Sequence, residues 1–228
     1  MEVIYEDNHL LVVIKPQNVP TQADSSGDKD MLSMCKEYIK EKYNKPGEAY
    51  VGLVHRLDRP TGGIMVFAKT SKCASRLFEQ MQNGDWTKKY LAVVVGTPKY
   101  RQDYLVHYLK KDEKENKVVV VPELEKDAKR AELKYKVLES TDKLSLVECE
   151  LLTGRTHQIR VQMSTIGHAV FGDVKYKGDI VKGWNLALWA YKLSFEHPIT
   201  HQPLNFVCYP PKDDMPWKYF NLAKVKAY

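Results

Sequence analysis

The sequence predicts an α+β fold, a mainly antiparallel mixed sheet with flanking helices in which strands dominate. Three observations predict it. Short alternating or wholly apolar runs recur along the chain, most connections between them are short, and three stretches alone switch to helical spacing. Short links join antiparallel neighbours, because a parallel pair needs a crossover of about a dozen residues or more.

The opening VIYEDNHLLVVIKP reads as a hairpin, with a turn at Asp7 and Asn8 and a second strand stopped by Pro16. After the polar loop QADSSGD, Asp30 is placed to cap a helix whose Met31, Met34, Cys35 and Tyr38 share a stripe and which ends before NKPG. In IMVFAK both alternating faces are apolar, which predicts a strand covered on both sides. Thr70 or Ser71 then caps a helix carrying Ala74, Leu77, Phe78 and Met81 on one face, with Asn83 and Gly84 ending it. KKYLAVVVG and KYRQDYLVHYLKK follow as strands, and DEKENK is the exposed turn of a hairpin that returns as KVVVV. AELKYKVLES and LSLVECELLTG extend the series, with Val147, Cys149 and Leu151 on one face of the latter. In RTHQIRVQMSTIGH the period changes, and Ile159, Met163 and Ile166 line a helix that Thr156 can cap. The tail LALWAYKLSFEHPITHQPLNFVCYPP supplies two more strands around a turn containing proline.

At 228 residues one principal domain, spanning 1–228, is expected, since no repeat, low-complexity tract or linker divides the chain. A formal charge of +6 and a pI near 8.9 suit contact with a polyanion such as nucleic acid. Cys35, Cys73, Cys149 and Cys208 lack Cys-x-x-Cys spacing, and the opening residues do not resemble a signal peptide, so reduced core thiols in a cytoplasmic protein are expected. No run approaches the roughly 18 apolar residues of a spanning helix, which argues against a membrane partner.

Candidate chemistry lies in two basic constellations. In HRLDRPTGG, Asp58 stands between Arg56 and Arg59 just before Pro60, which biases Arg59 toward an extended or turn conformation. Its carboxylate is thus presented on a loop leading into a buried strand, and nearby guanidinium groups favour the ionised form that serves as nucleophile or base. The same residues also fit a plain surface ion-pair loop. The second constellation, TGRTHQIRVQ, sets Arg155, His157 and Arg160 at a strand-to-helix transition, and two such clusters on one sheet could face each other.

HRLDRPTGG resembles the His-Arg-Leu-Asp-Arg-x-Thr-Ser-Gly signature of the RluA-type pseudouridine synthases, and other stretches resemble that family in the same order. VIYEDNHLLVVIKP is similar to its opening strands, KKYLAVVVG to its tyrosine-bearing strand, and LLTGRTHQIRVQ to its second arginine motif. GDVKYKG and LALWAYKLSFEHP resemble its C-terminal signatures, so the resemblance spans nearly the whole chain. It implies a pseudouridine-synthase-like catalytic domain that isomerises uridine to pseudouridine in ribosomal or transfer RNA, with no cofactor consumed and no metal. Asp58 takes the catalytic aspartate position, either attacking the nucleotide or removing a sugar proton. Tyr90 matches the tyrosine expected against the uracil, and Arg160 the basic residue expected to pair with the aspartate. A stacked uracil cannot present its glycosidic bond to such a carboxylate, so the nucleotide must be flipped out. His55, Arg56, Arg59, Arg155 and His157 are the expected RNA contacts, with Lys88 and Lys89 as further phosphate candidates.

The chain departs from the family pattern at Gly62, where serine is usual, at Gln162, where histidine is common, and at Ile14, where asparagine commonly precedes Lys-Pro. Family-like sequence starts at Val3, so the small RNA-binding domain of many relatives is not expected here. Recognition then falls to the catalytic domain, acting as a monomer, with the hairpin around Lys110 to Lys117 and the segment EKDAKRAELK gripping the RNA backbone. A second reading is an RNA-binding or RNA-chaperone protein on the same scaffold. A third, an aspartate-dependent phosphoryl hydrolase, lacks a companion Asp-x-Asp or glycine-rich phosphate loop.

Overall fold

The opening hairpin forms as the sequence predicts. β1 (Glu2–Glu6) pairs antiparallel with β2 (Leu10–Lys15), Glu2 opposite Ile14 and Glu6 opposite Leu11. Asp7 makes the turn, its Oδ1 accepting from the amides of His9 and Leu10, both at 2.7 Å. The structure, a computed structural model, describes residues 1–44, 46–179, 181 and 183–225, and Lys45 of the NKPG segment lies outside the described residues. The chain forms two compact units, Met1–Trp86 with Lys192–Cys208, and Thr87–Tyr191 with Tyr209–Tyr228.

In the first unit α1 (Met31–Lys42) starts where Asp30 accepts from the Ser33 amide at 3.0 Å. It buries Met31, Cys35 and Ile39, one residue per turn, while Tyr38 stands at the rim and donates to Glu6. β3 (Gly52–Leu53) pairs with the end of β4 (Gly62–Ala68), and β4 also pairs along its length with β2, Leu10 opposite Ala68 and Lys15 opposite Gly63. All seven residues of β4 are buried, as expected for a strand covered on both faces.

α2 (Ser71–Asn83) is capped by Thr70, which accepts from the Cys73 amide at 3.2 Å, and ends at Gly84 with φ of 83°. Its buried stripe is Cys73 and Leu77, whereas Phe78, expected on the apolar face, is 47% exposed. A stripe centred on residues four apart leaves the next residue about 100° round the helix, and Phe78 falls there.

The second unit carries a sheet in the order β5-β9-β8-β6-β7, built from β5 (Thr87–Val95), β6 (Gln102–Asp112), β7 (Lys117–Val121), β8 (Lys129–Ser140) and β9 (Leu144–Leu151). Each of these pairings is antiparallel. β8 shows the expected alternation, with Ala131, Leu133, Tyr135 and Val137 buried and Arg130, Lys134 and Lys136 exposed.

α3 (Gln158–Thr165) corrects one expectation. Thr156 does not cap it; His157 holds the cap position in a left-handed conformation (φ 52°) and makes no side-chain capping bond. Gln158 ties the start of the helix to its surroundings: its Oε1 accepts from the Arg155 amide (2.9 Å) and the Thr153 hydroxyl (2.8 Å), and its Nε2 donates to the Glu132 carbonyl (2.9 Å). Ile159 and Met163 are buried as the sequence predicts, and the burial extends to every residue from Gln158 through Met163.

β10 (Leu188–Glu196) begins in the second unit and ends in the first, where Lys192 to Glu196 pair antiparallel with β11 (Pro203–Val207). Cys35, Cys73 and Cys149 are buried, Cys208 is half-buried, and none forms a disulfide. Among the described residues no helix is long and apolar enough to cross a membrane.

Candidate active site

Asp58 lies on the loop between β3 and β4, and the first unit grips this loop by its backbone. The Thr21 hydroxyl donates to the Leu57 carbonyl (2.8 Å) and accepts from the Leu57 amide (3.3 Å). Lys15 Nζ donates to the Arg59 carbonyl (2.9 Å), Gln17 Nε2 to the Pro60 carbonyl (3.0 Å), and the Thr61 amide to the Asp58 carbonyl (2.9 Å). Both neighbours of Asp58 are thus tied to a segment 36 to 44 residues upstream, and the half-buried carboxylate rides on a held backbone.

Lys15 is fully buried. Its Nζ also donates to the carbonyls of Pro16 (2.9 Å) and Val19 (2.7 Å), so three acceptors match the three hydrogens of an ammonium. Burial pushes its pKa down to about 7, while the charge of Asp58 pulls it up and that of Arg59 pushes it further down. Opposite it, Gly63 has φ of 122°, a conformation a side chain rarely adopts, which accounts for the second glycine of the motif.

Among the expected RNA contacts of this unit, Arg56 is exposed and has no ion-pair partner among the described residues. Arg59 is bound within its own unit, to Asp28, to Asp24 at 3.3 Å and to Ser26 at 2.9 Å. His55 is half-buried; its Nε2 accepts from the Val66 amide at 3.0 Å, which puts the proton of the neutral ring on Nδ1, and its ring meets Trp86 edge-on at 5.4 Å.

In the second unit Tyr90 is buried on β5, opposite Cys149, which is itself opposite Tyr135. Ala131, four residues before Tyr135 and so on its face, packs with Val161 of α3. Tyr90 therefore belongs to the sheet face that α3 covers, and α3 carries Arg160. Arg160 is buried and bound side-on by Asp173, with Nε to Oδ2 at 2.7 Å and Nη2 to Oδ1 at 2.9 Å. The Tyr176 ring lies 5.3 Å from the guanidinium, and its hydroxyl accepts from the Val118 amide and bonds His157 Nδ1, both at 2.8 Å. Asp173 Oδ1 in turn accepts from the amides of Lys175 (3.0 Å) and Tyr176 (3.2 Å).

Arg155 is exposed, and its Nε donates to the Arg130 carbonyl at 2.9 Å. Gln162 is buried, bonding His107 Nδ1 (3.0 Å) and donating to the carbonyls of Leu105 and Ala131 (3.3 Å each), so this departure from the family pattern serves the interior of its unit. The hairpin cations are offset locally, Lys110 by Glu125 (2.5 Å), Lys111 by Glu113 (2.6 Å) and Lys117 by Glu115 (3.9 Å).

A model of the family described as RNA pseudouridylate synthase matches residues 9–165 of this chain. The chain belongs to the RNA pseudouridylate synthase family. The synthase is 32% identical over 225 residues to ribosomal large subunit pseudouridine synthase D of Zymomonas mobilis, covering 93% of this chain and 70% of that one. It is 33% identical over 228 residues to the uncharacterized RNA pseudouridine synthase YlyB of Bacillus subtilis, covering 98% and 73%. Among solved structures it resembles human RNA pseudouridylate synthase domain containing 4, with a TM-score of 0.77 and 26% identity over 92% of this chain and 89% of that one. The expected α+β synthase fold and isomerase class follow, and the substrate is RNA.

Sequence reasoning gave no role in the synthase to Lys15, Thr21, Asp173 or Tyr176. Two signals were visible: Lys15 closes an otherwise apolar strand, and Asp173 and Tyr176 lie in GDVKYKG. Neither says which distant group the side chain meets.

Proposed function

We propose that the synthase isomerises a specific uridine in ribosomal or transfer RNA, with Asp58 as the catalytic carboxylate acting on a flipped-out nucleotide. Large-subunit ribosomal RNA is the first substrate to try, because the Zymomonas mobilis relative is named for it. The observation that carries the assignment is the loop of Asp58, fixed by Thr21 and Lys15 on either side of the carboxylate while the side chain stays half-buried. A carboxylate that must meet a ribose at one angle needs such a support, since small misplacements cost large factors in rate.

In the reaction the bond between C1′ and N1 of the uracil breaks, the base turns, C1′ bonds to C5, and the C5 proton leaves. Asp58 starts this by attacking the nucleotide or by removing a sugar proton, and either route requires the ionised carboxylate. Tyr90 is assigned to the uracil and to assisting the final proton removal, and Arg160 to keeping the catalytic aspartate ionised. Of the five residues assigned to RNA contact, Arg56 and Arg155 suit it best, being exposed cations. Arg59, His55 and His157 would act from positions that already have protein partners. The same reading has the chain working as a monomer in the cytoplasm.

Pseudouridine formation in RNA from cells lacking the gene tests this directly. Asp58→Asn should abolish product while leaving RNA binding within about threefold of wild type. Unchanged turnover in that variant removes Asp58 from the mechanism, and a wild type that makes no pseudouridine in any RNA fraction overturns the substrate assignment.

A further inference from the structure

Lys88 and Lys89 are neighbours on β5, so their side chains leave the sheet on opposite faces. Lys89 is neutralised on its face by Glu148 at 3.0 Å and Glu150 at 3.8 Å. Lys88 shares the face of Tyr90, two residues on, which is the face covered by α3. Its Nζ reaches the loop after β9, lying 3.7 Å from where a Cβ on Gly154 would stand. Lys88 is half-buried, and among the described residues it has neither a carboxylate partner nor a hydrogen-bond acceptor. Burial, with no opposing charge, pushes its ammonium below the ordinary lysine range.

A desolvated cation without a counter-ion is destabilising to the protein that holds it. Its neighbour shows that glutamates are available on this sheet, and among the described residues none pairs with Lys88. Such an arrangement suits an anion that arrives from outside, and Gly154 leaves the ammonium uncovered by any side chain at that point. We propose that Lys88 contacts a phosphodiester oxygen of the bound RNA beside the target uridine. This rests on the reading of Tyr90 as the residue against the uracil, which places the RNA strand on the same face.

The experiment compares wild type, Lys88→Met and Lys88→Arg, using the RNA fraction in which the wild type forms pseudouridine. Lys88→Met should bind that RNA about tenfold more weakly, the loss expected for one charge-assisted hydrogen bond. Its log affinity should fall less steeply with log salt, by about 0.7 to 0.9, because one phosphate contact is gone. Lys88→Arg should restore most of both. The melting temperature of Lys88→Met should equal or exceed that of wild type, which separates a ligand contact from a structural role. A Lys88→Met variant with wild-type affinity and salt slope, or one whose weaker binding tracks a lower melting temperature, overturns the proposal while leaving Asp58 and Tyr90 in place. Absence of pseudouridine from every fraction with wild-type enzyme overturns the underlying reading, and the phosphate contact with it.

Discussion

Replacing Asp173 by alanine tests how the second unit holds Arg160. The pair is removed from water, with 5% and 0% of the two side chains exposed, and is joined by bonds of 2.7 and 2.9 Å. Asp173→Ala deletes both of these and the acceptor for the Lys175 and Tyr176 amides, and it takes one carboxylate away from a buried guanidinium. Removing one partner of a buried pair costs about 3 to 5 kcal/mol. For a chain of this size each kcal/mol lowers the melting temperature by about 2 to 4 °C, so a drop of roughly 6 to 20 °C is expected. Urea unfolding followed by circular dichroism gives the change directly, with the slope m checked for constancy. Arg160→Met should cost a similar amount, and the double variant Arg160→Met/Asp173→Leu markedly less than the sum, since both changes break the same two bonds. Asp173→Asn, which keeps the shape, should be the milder single change. A loss below about 1 kcal/mol for Asp173→Ala, or additive single changes, would refute the claim that the pair is a buried lock.

Gly178→Ala should be as damaging as a large core change, because a Cβ there would stand 2.1 Å from the Val170 carbonyl oxygen and 2.8 Å from the Asp173 amide nitrogen. A melting temperature within about 2 °C of wild type would contradict that close approach. Lys15→Met keeps a long side chain but leaves the carbonyls of Pro16, Val19 and Arg59 without their donor, so a loss of about 2 kcal/mol or more is expected, with turnover falling more than RNA affinity. Equal effects on turnover and affinity would argue against a role in holding the loop of Asp58. Glu6 has its pKa lowered to about 2: burial opposes this, and donors from Lys42, Lys69, Tyr43 and Tyr38 outweigh it. A depressed carboxylate stabilises the fold above its ordinary value of 4.5, and that contribution is lost as pH falls toward 2. Glu6→Gln should therefore flatten the stability profile in that acid window, and a profile parallel to wild type would remove Glu6 as its source.

What the sequence determined by itself is whatever depends on near neighbours. Asp30 and Thr70 cap their helices, Gly84 ends the second, and Asp112 faces Lys117 across the predicted hairpin, because each bond spans a few residues and follows from local geometry. The alternation of β8 and the wholly apolar run of β4 reported burial for the same reason. The candidate residues Asp58, Tyr90 and Arg160 were legible through ordered motifs, and the motifs also led to the family. Where local rules competed, they misled: Thr156 looked like a cap, but Gln158 reaches back to the Arg155 amide and across to Glu132. Phe78 looked like core, but packing centred the stripe on Cys73 and Leu77. Only the tertiary structure decided which partners hold the chemistry. Thr21 meets Leu57 across 36 residues, Lys15 meets Arg59 across 44, and Asp173 returns through a turn to clamp Arg160. No periodicity encodes such pairs, because they are fixed by where the sheet and helices bring distant segments together. The contrast between Lys88 and Lys89 has the same origin: two adjacent identical letters become a bare cation and a neutralised one once the strand assigns them to opposite faces.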